Sequence, residues 1–224
     1  KGIATLPIKY FENTNSKKVA ERIEKEVSTI IADNKFVVVL GGEHTVTLGS
    51  ILAHHQAYKD LSILQFDAHS DLRESYKGSI YSHASVMYRV YEFNKNIVQV
   101  GIRAQCKEEG DLIKKDKIKT FYARDIRQAE SPKIWHNDVL KSLSKNVYIT
   151  FDIDGFDPSV VPATGTPEPG GLFWDETLNL IKLVGKNKNI VGFDLVELAP
   201  SKSHTASNFI AAKLVYKMLN YAYQ

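Results

Sequence analysis

Leu61-Ser62-Ile63-Leu64-Gln65-Phe66 runs straight into Asp67-Ala68-His69-Ser70-Asp71. A near-continuous apolar run of this length is the mark of a strand buried on both faces, as in the parallel sheets of α/β proteins. Three metal-type side chains then follow at a period of two, and extended backbone sends alternate side chains to the same side. The pattern returns later in the chain, where Val147-Tyr148-Ile149-Thr150-Phe151 leads into Asp152-Ile153-Asp154.

Working outward from these two, further strands are expected over residues 2–7, 36–40, 97–102, 118–122 and 190–195. Helices are expected between them. Val19, Ile23, Val27, Ile30 and Ile31 form an apolar stripe at helical spacing, and residues 206–219 close the chain with another amphipathic stretch. Ser131-Pro132 pairs a capping residue with a first-turn proline. Alternation of this kind implies an α/β fold, a three-layer sandwich whose mostly parallel sheet is flanked by helices. No repeat or linker divides the chain, so one domain over residues 1–224 is expected.

In such sheets the working groups gather beyond the carboxyl ends of the strands. Gly41-Gly42-Glu43-His44, the segment 67–71, Asp152-Ile153-Asp154 and Glu197 all fall there. Asp67, Asp71, Asp152 and Asp154 would bring four negative charges into one crevice, and unpaired they would cost several kcal/mol each or take up protons. Arg73, the nearest cation in sequence, cannot balance four. Two divalent ions can, with His44 and His69 as neutral ligands. Four carboxylates and two imidazoles favour an ion such as Mn²⁺, and two metals about 3.5–4 Å apart lower the pKa of a shared water. Each residue has a plainer reading when taken alone. His44 suits a helix start, and Asp152 and Asp154 suit caps of the turn at Gly155 and Asp157-Pro158. Together the six make the metal reading the better one. His54, His55, His136 and His204 are read as surface or packing residues, and Met87, Tyr88 and Tyr91 as core.

Composition narrows the classes. The 224 residues are 43% hydrophobic and 25% charged, with a net charge of +3 and scattered lysines, which gives no case for nucleic acid. The densest basic stretch, Lys114-Lys115-Asp116-Lys117-Ile118-Lys119, reads as a solvated edge. A single cysteine, Cys106, rules out an internal disulfide framework and suits a reducing compartment. No run approaches the roughly 18 apolar residues of a membrane span, so the cytoplasm is the expected location.

These residues resemble the ureohydrolases, the family of agmatinase, arginase, guanidinobutyrase and their relatives. The matching segments are Gly41-Gly42-Glu43-His44, Phe66-Asp67-Ala68-His69-Ser70-Asp71, Ser82-His83, the long run Phe151-Asp152-Ile153-Asp154-Gly155-Phe156-Asp157-Pro158 with its Pro162-Ala163-Thr164-Gly165-Thr166-Pro167 tail, and Asp194-Leu195-Val196-Glu197-Leu198-Ala199-Pro200. The resemblance implies an arginase-like fold and two Mn²⁺. It places His44, Asp67, Asp71 and Asp152 on one metal and Asp67, His69, Asp152 and Asp154 on the other, with Asp67 and Asp152 bridging. It implies that His83 relays a proton, that Glu197 grips a guanidinium, and that Thr166 lines the substrate site. Two dications against four aspartates would welcome a guanidinium, which Glu197 can meet with a planar fork of hydrogen bonds, while His83 protonates the leaving amine.

The resemblance also implies a small guanidino substrate, and a homotrimer or homohexamer. Asp71-Leu72-Arg73 and Ser82-His83-Ala84-Ser85-Val86-Met87 look more like agmatinase than arginase, so hydrolysis of agmatine to putrescine and urea is the leading expectation. Guanidinobutyrase or another guanidino-acid hydrolase, arginase and formiminoglutamase are the rivals in the same chemistry. Arg73 or Lys77 facing the pocket would favour an acidic tail, and Glu74 an amine tail. A metal-binding oligomer without turnover, or a mononuclear-zinc deacetylase, would lie outside that chemistry. The chain opens on Lys1 without the beginning usual in this family, so a missing N-terminal segment is expected.

Overall fold

The computed structural model describes residues 2–12, 14–203 and 205–224. Among them, six strands form one sheet: β1 (Val37–Leu40), β2 (Leu61–Phe66), β3 (Ile97–Ile102), β4 (Lys119–Tyr122), β5 (Asn146–Asp152) and β6 (Asn189–Val196). Every pairing is parallel, and the order across the sheet is β1-β6-β5-β2-β3-β4. All six residues of β2 are buried, as its near-continuous apolar run leads one to expect.

Eight helices among the described residues cover both faces: α1 (Ser16–Ala32), α2 (Val46–Ala57), α3 (Val86–Phe93), α4 (Lys107–Asp116), α5 (Ala123–Gln128), α6 (Pro132–Ser142), α7 (Trp174–Asn187) and α8 (Thr205–Ala222). On one face Leu64, Phe66, Ile149 and Phe151 pack with Val139 of α6, Ile181 of α7 and Leu214 of α8. On the other, Ile63 and Tyr148 pack with Ile51 of α2, Met87 of α3 and Ile113 of α4. The result is the expected three-layer α/β sandwich. Helix starts are set locally. The Asn15 side chain accepts from Lys18 N, and that of Ser131 from Lys133 N with Pro132 in the first turn.

Residues 2–7 do not form a strand. They are exposed and irregular, because an extended segment becomes a strand only by pairing and this one does not meet the sheet. Met87 is core, whereas Tyr88 and Tyr91 are only partly buried. The basic stretch after Ile113 is exposed apart from Ile118, and Cys106 caps α4 with its thiol pushed up by burial. His136 packs edge-on against Trp135; His204 lies outside the described residues. No helix among the described residues is long and apolar enough to cross a membrane.

Two tests of packing follow. A Cβ at Gly49 of α2 would run into the carbonyl oxygen of Ala20 and lie 2.9 Å from Glu24 N, both backbone atoms of α1. Gly49→Ala gains about 1 kcal/mol of helix propensity, but forcing two helices apart costs typically 1–3 kcal/mol or more. The expected net loss, up to about 2 kcal/mol or more, is read from the urea midpoint; a higher midpoint contradicts the packing.

His54 is fully buried, its Nδ1 2.8 Å from the Ser50 carbonyl oxygen, and burial pushes its pKa down to about 4. A group depressed on folding contributes stability that is complete above its unfolded value of about 6.5 and is lost as pH falls through the folded value. Relative to His54→Leu, the wild-type protein should lose about 3 kcal/mol between about pH 7 and pH 4. A difference that stays constant with pH in urea titrations contradicts this.

Candidate metal centre

The chain passes from β2 outward to β3 and β4 on one side, then returns through β5 and β6 on the other. The switch point therefore lies between β2 and β5, where crevices form beyond the carboxyl ends of parallel strands. Phe66 and Phe151 are in register, so Asp67 and Asp152 leave neighbouring strands side by side. His44 enters from the turn after β1, and Glu197 from the residue after β6.

Two groups of ligand-type atoms form there. His44, Asp67 and Asp152 offer atoms all within 4.8 Å of one another, as do Asp67, His69 and Asp154. Asp67 belongs to both. His44 Nδ1 lies 3.3 Å from Asp67 Oδ2, 3.0 Å from Asp71 Oδ2 and 3.4 Å from Asp152 Oδ2. His69 Nδ1 lies 3.1 Å from Asp154 Oδ2 and 3.6 Å from Asp67 Oδ1. All six residues expected to hold metal are thus brought together, although Asp71 stands outside both groups and reaches the centre beside His44. His69, the least buried of the six, has 26% of its side chain exposed.

The network behind His44 shows why a cation fits. Thr150 Oγ1 donates to Asp194 Oδ1 at 2.8 Å, so it accepts from His44 Nε2–H at 2.9 Å. That fixes the proton on Nε2 and leaves a lone pair on Nδ1, a buried atom with no hydrogen-bond partner. A lone pair aimed at three carboxylate oxygens is repulsive unless a positive charge sits between them. Titration points the same way. Burial opposes charge on His44 and His69, yet their carboxylate neighbours prevail and raise both, His69 to about 11. Burial, reinforced by Asp67, pushes Asp71 up to about 7 and Asp152 well above the carboxylate range. Asp67 goes the other way: burial raises it, but both imidazoles hold it below the usual range. A cluster of this charge calls for cations among its carboxylates, and divalent ions would meet that demand.

Backbone shape presses the segments together. A Cβ at Gly155 would lie 3.0 Å from Asp67 N, so a side chain there would press the turn after β5 away from the end of β2. Asp71 and Glu197 both have positive φ, 53° and 62°, strained for residues with a side chain and typical of functional positions. The Asp71 carbonyl accepts from Met87 N and Tyr88 N, which anchors α3 behind His83.

The remaining expected residues ring the centre. Glu197 Oε1 accepts from His44 N at 2.7 Å, and burial raises its pKa. Thr166 Oγ1 donates to Asp154 Oδ2 at 3.2 Å. His83 stands apart with its side chain 50% exposed, Nδ1 3.9 Å from Glu43 Oε2 and its ring edge-on to Tyr76.

Sequence reasoning missed several supporting groups. Gln65 donates to Asp67 Oδ2 at 2.8 Å, and Gln99 donates to Gln65 Oε1 at 2.7 Å. Gln65, Gln99 and Thr150 are fully buried. Polar interruptions in strands covered on both faces were the available signal, since each must find a partner. Thr150→Val keeps the shape but strands His44 Nε2–H and an Asp194 oxygen. A stability loss of about 1–3 kcal/mol and a tenfold to hundredfold drop in Mn²⁺ affinity are expected. Urea unfolding and metal titration unchanged from wild type contradict that role.

A family model described as Arginase family matches residues 3–220. The N(1)-aminopropylagmatine ureohydrolase of Synechocystis sp. is 42% identical over 197 residues, covering 87% of this chain and 63% of that protein. The agmatinase of Bacillus cereus is 37% identical over 210 residues, covering 92% and 70%. The solved agmatine ureohydrolase of Thermoplasma volcanium superposes with a TM-score of 0.83 at 33% identity, over 95% of this chain and 71% of that one. The chain spans less than two thirds of the length of curated relatives such as the Synechocystis protein.

Proposed function

Since this chain belongs to the arginase family, we propose that it hydrolyses a guanidino group to urea and an amine at a two-metal centre, with agmatine or its N(1)-aminopropyl derivative as substrate. The observation that carries this reading is the pair of carboxylate–imidazole groups sharing Asp67, with the half-buried Glu197 beside them.

In this proposal His44, Asp67, Asp71 and Asp152 hold one divalent cation, and Asp67, His69, Asp152 and Asp154 the other. Two Mn²⁺ suit the oxygen-rich donor set. Bound there, the metals would supply Lewis acidity and a water of lowered pKa. The chain's own residues do the rest. Glu197 presents a carboxylate for a planar, paired contact with the guanidinium, and its raised pKa reflects burial that such a partner would offset. Thr166, bonded to Asp154, lines the approach. His83 sits at the rim, open to solvent, where it can pass a proton to the departing amine nitrogen. The balance is guanidinium plus water to urea plus ammonium.

An amine tail is favoured over an acidic one. Arg73, the cation nearest the site in sequence, lies 3.9 Å from Glu109 and stacks on Tyr76, and Lys77 lies over the same ring. At the mouth, the half-exposed Glu43 stands beside His83. The names of the Synechocystis and Bacillus cereus relatives support the same choice.

The test is urea release by Mn²⁺-loaded protein from agmatine, N(1)-aminopropylagmatine, arginine and guanidinobutyrate, with formamide release from formiminoglutamate. The proposal expects the two amine-tailed substrates to have kcat/KM at least about tenfold above the others, a gap of about 1.4 kcal/mol. Preference for an acidic substrate overturns the amine reading, and no product from any of them overturns the activity.

A further inference from the structure

Arg103 follows the last residue of β3, and its main chain is tied to β2's exit, with Arg103 N donating to the Ala68 carbonyl at 2.9 Å. Its guanidinium spends all its reach on backbone carbonyls. Nη2 donates to Asp154 O at 2.7 Å, Phe156 O at 3.2 Å and Glu168 O at 2.8 Å. Nη1 donates to Gly101 O at 3.1 Å and Gly155 O at 3.3 Å, and Nε to Glu168 O at 3.1 Å. Among the described residues no carboxylate accepts a hydrogen bond from it. A cation committed in this way is a bracket: it joins the segment that carries Asp154 to the segment 166–171, which begins with Thr166. The main chain of Arg103 adds the segment that carries Asp67 and His69.

A planar fork with five donors in fixed directions can do this, while an ammonium on a flexible stem cannot. The region tolerates no slack, for a Cβ at Gly171 would lie 2.7 Å from Arg103 Nη2. The Asp154 carboxylate is held from the other side by Ala68 N at 3.1 Å and Thr166 Oγ1 at 3.2 Å. The peptide carrying Asp154 is therefore located by Arg103, and its carboxylate by the two neighbouring segments that Arg103 also grips.

We infer that Arg103 is a positioning residue for one half of the centre: its guanidinium sets Asp154 against His69 and fixes the Thr166 segment over them. The inference rests on reading Asp67, His69 and Asp154 as a cation pocket. It predicts an asymmetry, because Asp154 and His69 belong to one group alone, while His44, held by the Thr150–Asp194 network, accepts no hydrogen bond from Arg103.

The experiment titrates metal-free protein with Mn²⁺ alone, by equilibrium dialysis with metal analysis, for wild type, Arg103→Lys, Arg103→Ala and Asp154→Asn. Arg103→Lys should weaken one class of site tenfold to hundredfold and leave the other unchanged, reproducing the pattern of Asp154→Asn. Guanidinium chloride at low concentration should restore part of the lost affinity in Arg103→Ala and none in Asp154→Asn. Arg103→Lys that binds at both classes with wild-type affinity overturns the inference. So does equal weakening of both classes without guanidinium rescue, which marks a general packing role. Wild-type protein that takes up no Mn²⁺ overturns the metal reading itself, and is distinguished by appearing before any substitution is made.

Discussion

Asp67→Asn should empty both metal pockets and lower turnover by about 10³-fold or more. Asp67 is the residue common to the two groups, with Oδ2 3.3 Å from His44 Nδ1 and Oδ1 3.6 Å from His69 Nδ1. An amide keeps the volume but exchanges one oxygen for an N–H₂ group, which repels a cation, and removes the charge that both imidazoles now face. Lewis-acid stabilisation by metal is worth several kcal/mol, and each 1.36 kcal/mol is a factor of ten, which sets the expected size. Metal analysis after dialysis reads the first effect and urea release the second. A variant that retains two equivalents of Mn²⁺ removes Asp67 from the shared position.

His83→Ala should lower kcat by about 10²–10⁴, the range for a positioned proton donor, with both metals kept and KM little changed. Its side chain is half exposed, lies edge-on to Tyr76 and stands 3.9 Å from Glu43. Removing it therefore empties no core, and stability should change by no more than about 0.5 kcal/mol. A slow variant of normal stability and normal metal content isolates proton transfer. Exogenous imidazole should recover part of the rate. An unaltered rate takes His83 out of the mechanism.

The sheet was readable because its central strands are buried on both faces, so burial writes a nearly continuous apolar run into β2 and β5. The metal-type residues were readable because strand exits at the switch point carry them at a period of two. Residues 2–7 have the same local pattern as a strand, and what they lack is a partner, which is not a local property. The same limit hid Arg103. In sequence it is one arginine after a strand, and the carbonyls of Asp154 and Glu168 that give it its role lie more than fifty residues away. Gln65 and Thr150 were visible as polar residues in apolar strands, but their direction toward Asp67 and His44 depends on pairing across the sheet. The left-handed backbone at Asp71 and Glu197 left no trace either, since side-chain identity there is set by chemistry and strain is set by the fold.

Anomalous diffraction at the manganese edge, from crystals of this protein soaked in Mn²⁺, tests the central claim most directly. Two peaks should appear, one among His44, Asp67 and Asp152 and the other among Asp67, His69 and Asp154. A map with no peak at the end of β2, or with manganese only at other surface carboxylates, contradicts it.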